Sequence, residues 1–432
     1  TLGDTLLTAL IEEADDGNLD LASAVGRIRE ARAYRQVAGG DYWPQVGFDG
    51  SWTRAQASEN GQGGAIVALG TNPSSNWEFG LGASWELDVF GRVRRAVESA
   101  DAQVKASIED YRDVLVTLYA DIGSTYVTIR SLQMRLDFAR DNVESQRETM
   151  DIVIAREDAG LVPLLDVTRA RSNLANTEAT IPQLATALEV EQNRLALLLG
   201  LPPGALDERV AWYGMPEMPD FDIVADVPAN VLRRRPDVRR SERSLAAQTA
   251  RIGVATADLY PSFYLDGSLA LQALEFANLG QSESVAWSLV PGVRWNLFTG
   301  GKIRGQIKVE EARTEQALAA YEKSVLNALG EVENALVALK QEELRLESLK
   351  QAVDASQQSV TLVHTQYIEG LTDFQNYLDA QRDLFNQQDQ MASSMGQVYV
   401  NLTELNRALG GGWSLDDPDP DLPEPEETEE ST

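Results

Sequence analysis

The amino-acid sequence predicts a mixed α/β membrane chain made of two tandem repeats, and three observations carry that prediction. Residues 85–200 laid over 295–410 match at a fixed offset of 210, and 43–51 matches 260–268 at an offset of 217. Four segments alternate apolar and polar residues over lengths suited to a tilted membrane-crossing strand, about 9–11 residues. Each repeat then carries an unbroken helical pattern far longer than the roughly 11–12 residues of an average globular helix.

The repeat is read from paired positions. Trp85 falls on Trp295, Leu87 on Leu297, Gly91 on Gly301, Val93 on Ile303, Arg94 on Arg304 and Tyr111 on Tyr321. Further on, Gly160-Leu161 meets Gly370-Leu371, Ala170 meets Ala380, Leu174 meets Leu384, and Leu199-Gly200 meets Leu409-Gly410. The difference between the two offsets falls between paired strands, where a loop absorbs it.

Each repeat opens on strands. Val46, Phe48, Gly50 and Trp52 alternate with Gly47, Asp49, Ser51 and Thr53; Trp77, Phe79, Leu81, Ala83, Trp85 and Leu87 alternate with Glu78, Gly80, Gly82, Ser84 and Glu86. The pattern recurs over Phe263–Leu271 and Val285–Leu297. One apolar and one polar face result, because successive side chains of a strand point to opposite sides. Tryptophans at the strand ends fit an aromatic girdle at a membrane interface.

The stretch "SWELDVFGRVRRAVESA" (84–100) then turns strand into helix, with its echo at Trp295–Ile303. Trp85 and Leu87 are expected to be the last lipid-facing residues, Asp88–Gly91 the hinge, and Arg92 the helix start. From Arg92 to Arg156 there is no proline and one glycine. Apolar residues at Val104, Ile108, Tyr111, Leu115, Leu118, Ile122, Tyr126 and Ile129 step by fours and threes, a coiled-coil seam. That helix spans about 100 Å. The chain turns at Gly160, and a return helix over about Leu164–Leu199 carries Pro182, expected to kink or interrupt it. Shorter helical patterns, Leu19–Ala38 and Pro236–Asp258, make up the remaining length of each long helix. The Pro-, Gly- and Trp-rich segments at the joins predict an irregular belt.

A lipid-facing sheet cannot leave edges unpaired, and four strands cannot close. Two chains give eight strands and three give twelve. Eight would fill with side chains, whereas twelve leave a lumen, so a trimeric pore is expected.

Composition narrows the function. A net charge of −30 argues against nucleic acid or anionic membrane surfaces as partners. There are no cysteines, which excludes disulfides and thiolate chemistry. The lone histidine, His364, sits in a helical pattern and reads as a helix-surface residue, and no phosphate loop or activated nucleophile appears. An enzyme is therefore not expected, and neither cofactor nor metal. Thr1–Leu10 lacks the basic region and cleavage site of a secretory leader, which fits a cytosolic or an already processed chain. Residues 416–432, acidic and proline-rich, read as a disordered tail. Arg233–Arg235 precede Pro236 and are expected to pair with acidic groups of the belt.

These features resemble the TolC-like outer membrane efflux proteins, in particular the drug-efflux branch. "LRRRPDVRRSERSLAAQTARIGVATADLYPS" (232–262), "LDVTRARSNLA" (165–175), "YLDAQRDLFNQQ" (377–388) and "ALGGGW" (408–413) carry the resemblance. It implies a shared 12-stranded trimeric barrel in the outer membrane of a Gram-negative bacterium, continued by a long antiparallel helical barrel in the periplasm. The implied partners are two further copies of the chain, a periplasmic adaptor, an inner-membrane pump of the RND type, and outer-membrane lipid. The implied role is a passive exit duct; a type I polypeptide secretion duct and a periplasmic coiled-coil adaptor are the alternatives.

By the same resemblance, 45–87 and 262–297 form the barrel strands with their loops, and 19–38, 92–199, 236–258 and 302–409 the helical barrel. The belt takes 1–16, 200–230 and 410–415. The returns Ala159-Gly160-Leu161 and Glu369-Gly370-Leu371 would meet the adaptor. Tyr367 and Asp166 would lock the tip. Asp379, Asn376 and Gln375 would line the constriction, with one ring amide where some family members have two acidic rings. Thr372 stands where some members carry a tip-lock arginine.

Overall fold

A computed structural model of the chain describes residues 4–56, 73–211, 214–215 and 234–413. The acidic tail, Arg233 and most of the 200–230 segment lie outside the described residues. The elements run α1 (Thr5–Gly17), α2 (Leu19–Gly40), β1 (Gln45–Ala55), β2 (Ser74–Leu87), α3 (Arg92–Asp158) and α4 (Leu164–Leu198). The second half has α5 (Pro236–Ala257), β3 (Ser262–Ala273), β4 (Val285–Arg294), α6 (Lys302–Ile368) and α7 (Phe374–Ala408). Two compact units group these residues.

One unit holds Arg27–Ile108 and Arg240–Glu322. Its four strands form one antiparallel sheet in chain order. Offsets of 217 and 210 convert the first hairpin into the second: Gln45 opposite Ser84 becomes Ser262 opposite Arg294. The connections 56–73 and 274–284 differ by the seven residues that separate the two offsets.

The alternation places Val46, Phe48, Trp52, Trp287, Leu289 and Val293 on one exposed face, an arrangement that water would penalise and lipid would not. Trp52 and Trp77 stack at one end, centroids 5.5 Å apart. At the other end the Trp85 indole donates to the Tyr42 carbonyl at 3.0 Å, and its repeat partner Trp295 donates to Leu259 at 3.1 Å. Trp77 and Trp85 stand about 27 Å apart along the strand, the scale of an apolar membrane band about 25 Å tall.

The strand-to-helix hinge lies where the alternation predicts it. The Asp88 carboxylate accepts from the backbone N–H groups of Val93 (3.0 Å) and Arg94 (2.9 Å), which satisfies two orphan donors at the start of α3. Phe90 stacks on Tyr260 at 4.7 Å. The position matching Asp88 in the second hinge is Phe298, 91% exposed, so the second helix start has no carboxylate at that place. Beside the first part of α3, Arg35 of α2 reaches Asp101 at 2.7 Å and Ser99 donates to Ala247 of α5 at 2.8 Å.

The other unit holds the described parts of 1–26, 109–239 and 323–432. Its main core joins Leu7, Leu10 and Ala14 of α1 to Leu118, Ile122, Tyr126 and Ile129 of α3, with Leu195 and Leu199, Leu206 and Val210. Burying such side chains contributes about 1.5–3 kcal/mol each. Thr5–Gly17, expected as part of an irregular belt, is a regular helix; Asp4 caps it by accepting from Leu6 and Leu7. The Asp4 carboxylate also accepts from the Tyr126 hydroxyl at 2.6 Å. Tyr126 in turn accepts from Arg130, whose buried guanidinium holds the Ala211 carbonyl at 2.7 Å.

Two sequence expectations are corrected. Of the kink or interruption expected at Pro182, the interruption does not occur: α4 runs through it as one helix, and tertiary packing of its apolar face offsets the one ladder bond a proline removes. Arg235 pairs outside the belt segments. It grips Asp237 through two nitrogens (3.0 and 2.8 Å), Glu331 of the long α6 helix at 2.6 Å, and the Ala408 carbonyl at 2.9 Å. Among the described residues no helix is long and apolar enough to cross a membrane.

Candidate functional site at the helix returns

The two returns have the same backbone. After α3, Gly160 takes φ 70° and the Leu161 N–H closes on the Arg156 carbonyl at 2.8 Å; after α6, Gly370 takes φ 75° and Leu371 closes on Gln366 at 2.8 Å. Glycine at C′ allows this left-handed stop without a Cβ penalty. The next helix restarts at Pro163 (φ −78°, ψ 152°) and at Asp373 (φ −78°, ψ 153°). Proline pre-sets the backbone angle that aspartate reaches unaided. Ala159, Gly160, Leu161, Glu369, Gly370 and Leu371 are all exposed, with Leu161 at 69% and Leu371 at 73%.

Beneath the returns lies a small core of Val153, Val167, Ala170, Tyr367, Phe374, Tyr377 and Leu378. The Tyr367 and Tyr377 rings stack at 5.9 Å, and His364 packs at a tilt on Tyr377 at 5.2 Å. Gln381 donates to the Tyr377 hydroxyl at 3.0 Å and to Thr149 at 3.1 Å, tying α7 to α3. Burial pushes the Tyr377 phenol up, which keeps it neutral as a hydrogen-bonding group.

Tyr367 and Asp166 come into electrostatic reach but share no hydrogen bond in this chain. The Tyr367 hydroxyl is buried and finds no partner among the described residues. Burial raises its pKa most; the Asp166 charge adds to the rise and Arg156 opposes it. Asp166 has Arg169 at 4.0 Å. Arg156 is the residue that sequence reading passed over. It donates to the Tyr367 carbonyl at 2.9 Å and sits 4.6 Å from the centre of that ring.

The constriction candidates share one turn of α7. Gln375 donates to both Asp379 oxygens at 2.9 Å, and Arg382 stands 3.9 Å from the same carboxylate. Asn376 donates to Thr372 at 2.9 Å, so the position that carries arginine in some members here accepts an amide. Arg382, also unflagged by sequence, donates to Asn173 of α4 at 2.7 Å. The Asp379 carboxylate thus sits on an exposed turn between the Gln375 amide and the Arg382 guanidinium. Among the described residues no group of histidine, aspartate and glutamate side chains is placed to hold a metal ion.

A sheet with an exposed apolar face and aromatic ends, joined to helices far too polar for lipid, defines a subunit of an outer-membrane channel. The chain belongs to the outer membrane efflux protein family, matched over residues 10–201 and 227–411. It is 32% identical to nodulation protein T of Rhizobium leguminosarum bv. trifolii, over 95% of this chain and 86% of the relative. It is 32% identical to the pyoverdine export outer membrane protein OpmQ of Pseudomonas putida, over 95% of this chain and 87% of the relative. The solved outer-membrane channel OprN superposes with a TM-score of 0.89 at 36% identity, covering 95% of this chain and 91% of that one. The fold class follows: four strands per chain in a 12-stranded barrel shared by three chains, continued by a long antiparallel helical barrel. The protein resides in the outer membrane and extends into the periplasm.

Proposed function

We propose that this channel is the passive exit duct of a tripartite efflux system, conducting small molecules delivered by an inner-membrane pump of the RND type through a periplasmic adaptor. The observation that carries it is the pairing of a lipid-suited four-strand sheet with helix returns that leave Leu161 and Leu371 exposed. An exposed leucine at the same place on both returns suits a partner that covers the two together. In this reading 45–87 and 262–297 lie in the membrane, and 19–38, 92–199, 236–258 and 302–409 wall the periplasmic tunnel. The belt comprises 1–16, 200–230 and 410–415.

The tip then works as a gate. Asp379, Asn376 and Gln375 narrow the lumen, where three copies of one carboxylate favour cations. The Tyr367 hydroxyl, without a partner among the described residues, has the Asp166 carboxylate in electrostatic reach, and a bond between neighbouring hairpins would hold the tip shut. Ala159–Leu161 and Glu369–Leu371 meet the adaptor, whose binding pulls the hairpins apart.

The test is recording from the detergent-purified assembly in a planar bilayer. Weak, cation-preferring conductance is expected, with Asp379→Ala lowering the preference for cations. A pore that conducts with unchanged selectivity removes Asp379 from the constriction; no conductance in any variant removes the duct.

A further inference from the structure

The chain leaves its own sheet open at both edges. Within it, the joint between the two hairpins pairs β2 with β3, so that Leu87 faces Phe263, Trp85 faces Leu265 and Ser84 faces Asp266. β1 and β4 are the edges. Both hairpins obey the same repeat relation, β1 to β3 by 217 and β2 to β4 by 210. The indole bonds of Trp85 and Trp295 obey it too.

Applying that relation to the β2–β3 joint gives the joint between copies. Leu87–Phe263 becomes Leu297 opposite Val46 of the next copy, and Trp85–Leu265 becomes Trp295 opposite Phe48. Ser84–Asp266 becomes Arg294 opposite Asp49. We propose that β4 of one copy pairs with β1 of the next in this register, and that Arg294 and Asp49 form an ion pair across the joint.

Three observations support this register. Inside the chain, the position it is derived from is already bonded: the Ser84 hydroxyl donates to Asp266 at 2.7 Å. The two charges are available, since both side chains are exposed and neither makes an ion pair within the chain among the described residues. Arg294 lies over the Tyr264 ring at 5.2 Å, which holds it on the polar face of the sheet that Asp49 shares. The alternative registers fail on the same grounds. A slip of one residue turns the apolar set of one strand to the polar face of the other. A slip of two in either direction keeps the faces but sets Arg294 against Gly47 or Ser51, with no charge to meet.

The proposal rests on the reading of the chain as a barrel closed by several copies, and the test separates the two. The sequence has no cysteine, so introduced thiols stand alone. Thr53→Cys with Val290→Cys places two thiols directly opposite in the proposed register, within the Cα separation a disulfide spans. Thr53→Cys with Ser288→Cys is the diagonal control, at about 7–8 Å. Under mild oxidation of the detergent-purified assembly, the first pair is expected to give covalent trimer as the main band and the control only a trace. A trimer that cross-links best in the control, or in neither pair, overturns the register and leaves the channel standing. A chain that remains monomeric in detergent and in membranes overturns both. The ion pair is read independently: Arg294→Asp and Asp49→Arg each lower the temperature at which the trimer separates, and the double reversal restores it. A double reversal no more stable than the singles sinks the ion pair.

Discussion

Arg156 and Tyr367 are joined twice, by a 2.9 Å hydrogen bond from guanidinium to carbonyl and by a guanidinium 4.6 Å from the ring centre. They sit at the ends of the two long helices, so this contact fastens one return to the other. A charged donor on a partly buried carbonyl contributes about 1.5–3 kcal/mol, and the ring contact about 0.5–1 kcal/mol more. Arg156→Ala is expected to loosen the tip by roughly 2 kcal/mol and to raise single-channel conductance without changing trimer formation. Arg156→Lys keeps the charge but loses the planar fork and should fall between. Conductance equal to that of the parent in the alanine variant would remove this pair from the gate.

At the other end of α3, Asp88 caps the helix start. Burial raises its pKa, but the N–H groups of Arg94 and Val93 and the Arg94 side chain outweigh that, so the carboxyl lies below its usual range. The sign follows: the cap is fully present above the unfolded-state value of about 3.9 and is lost as pH falls through the lower folded value. The protection of amides 92–95, their exchange relative to the unstructured rate at the same pH, should therefore be high at neutral pH and fall only below about pH 4. Asp88→Ala should show the low protection at every pH and cost about 1 kcal/mol. Arg304, in the second hinge where Phe298 stands in place of Asp88, serves as the internal control; equal acid sensitivity there would count against the cap.

The repeat, the strands and the returns were legible because each is written in short-range signals. Period-two alternation gives Val46–Trp52, and glycines that must take positive φ give Gly160 and Gly370. The tip residues could be named from local resemblance. What stayed hidden depends on partners far apart in sequence. Arg156 looks like any helix-end cation until the chain returns 211 residues later, and Arg235 is bound to Glu331 across 96 residues. Pro182 misled for a related reason, since propensity does not register the packing of α4 that overrides it.

Gly160 and Gly200 make a matched pair for separating backbone from packing. Their φ angles are 70° and 72°, so alanine meets the same left-handed strain at both, about 1–2 kcal/mol. Nothing lies within 4 Å of a Cβ added at Gly160, whereas at Gly200 it would collide with the Gly17 carbonyl oxygen. Gly160→Ala should therefore remain a trimer with slightly reduced thermal stability. Gly200→Ala must also force α1 away from the end of α4, and should lose most of its folded yield. Similar stability in the two variants would mean that the α1–α4 contact gives way at little cost.

Arg235 clamps several groups of the chain at once. It is 7% exposed, and it binds two carboxylates and the last carbonyl of α7. Burial alone would lower its pKa, but the bonds from Asp237 and Glu331 raise it well above the usual arginine value. Asp237 also occupies the first turn of α5, where the helix dipole favours an acid. Removing the guanidinium leaves two carboxylates facing each other with nothing between, a situation that costs about 3–5 kcal/mol for a buried pair, with a discount here because Glu331 is 45% exposed. Arg235→Ala should lower the thermal midpoint of the trimer sharply. Arg235→Ala with Glu331→Gln should recover part of that loss, because one of the stranded charges is gone. Lysine cannot reach Asp237 with two nitrogens and Ala408 with a third, so Arg235→Lys should recover less than arginine gives. If Glu331→Gln brings no recovery in the alanine background, Glu331 is a surface acid and the clamp is Asp237 and Ala408 alone.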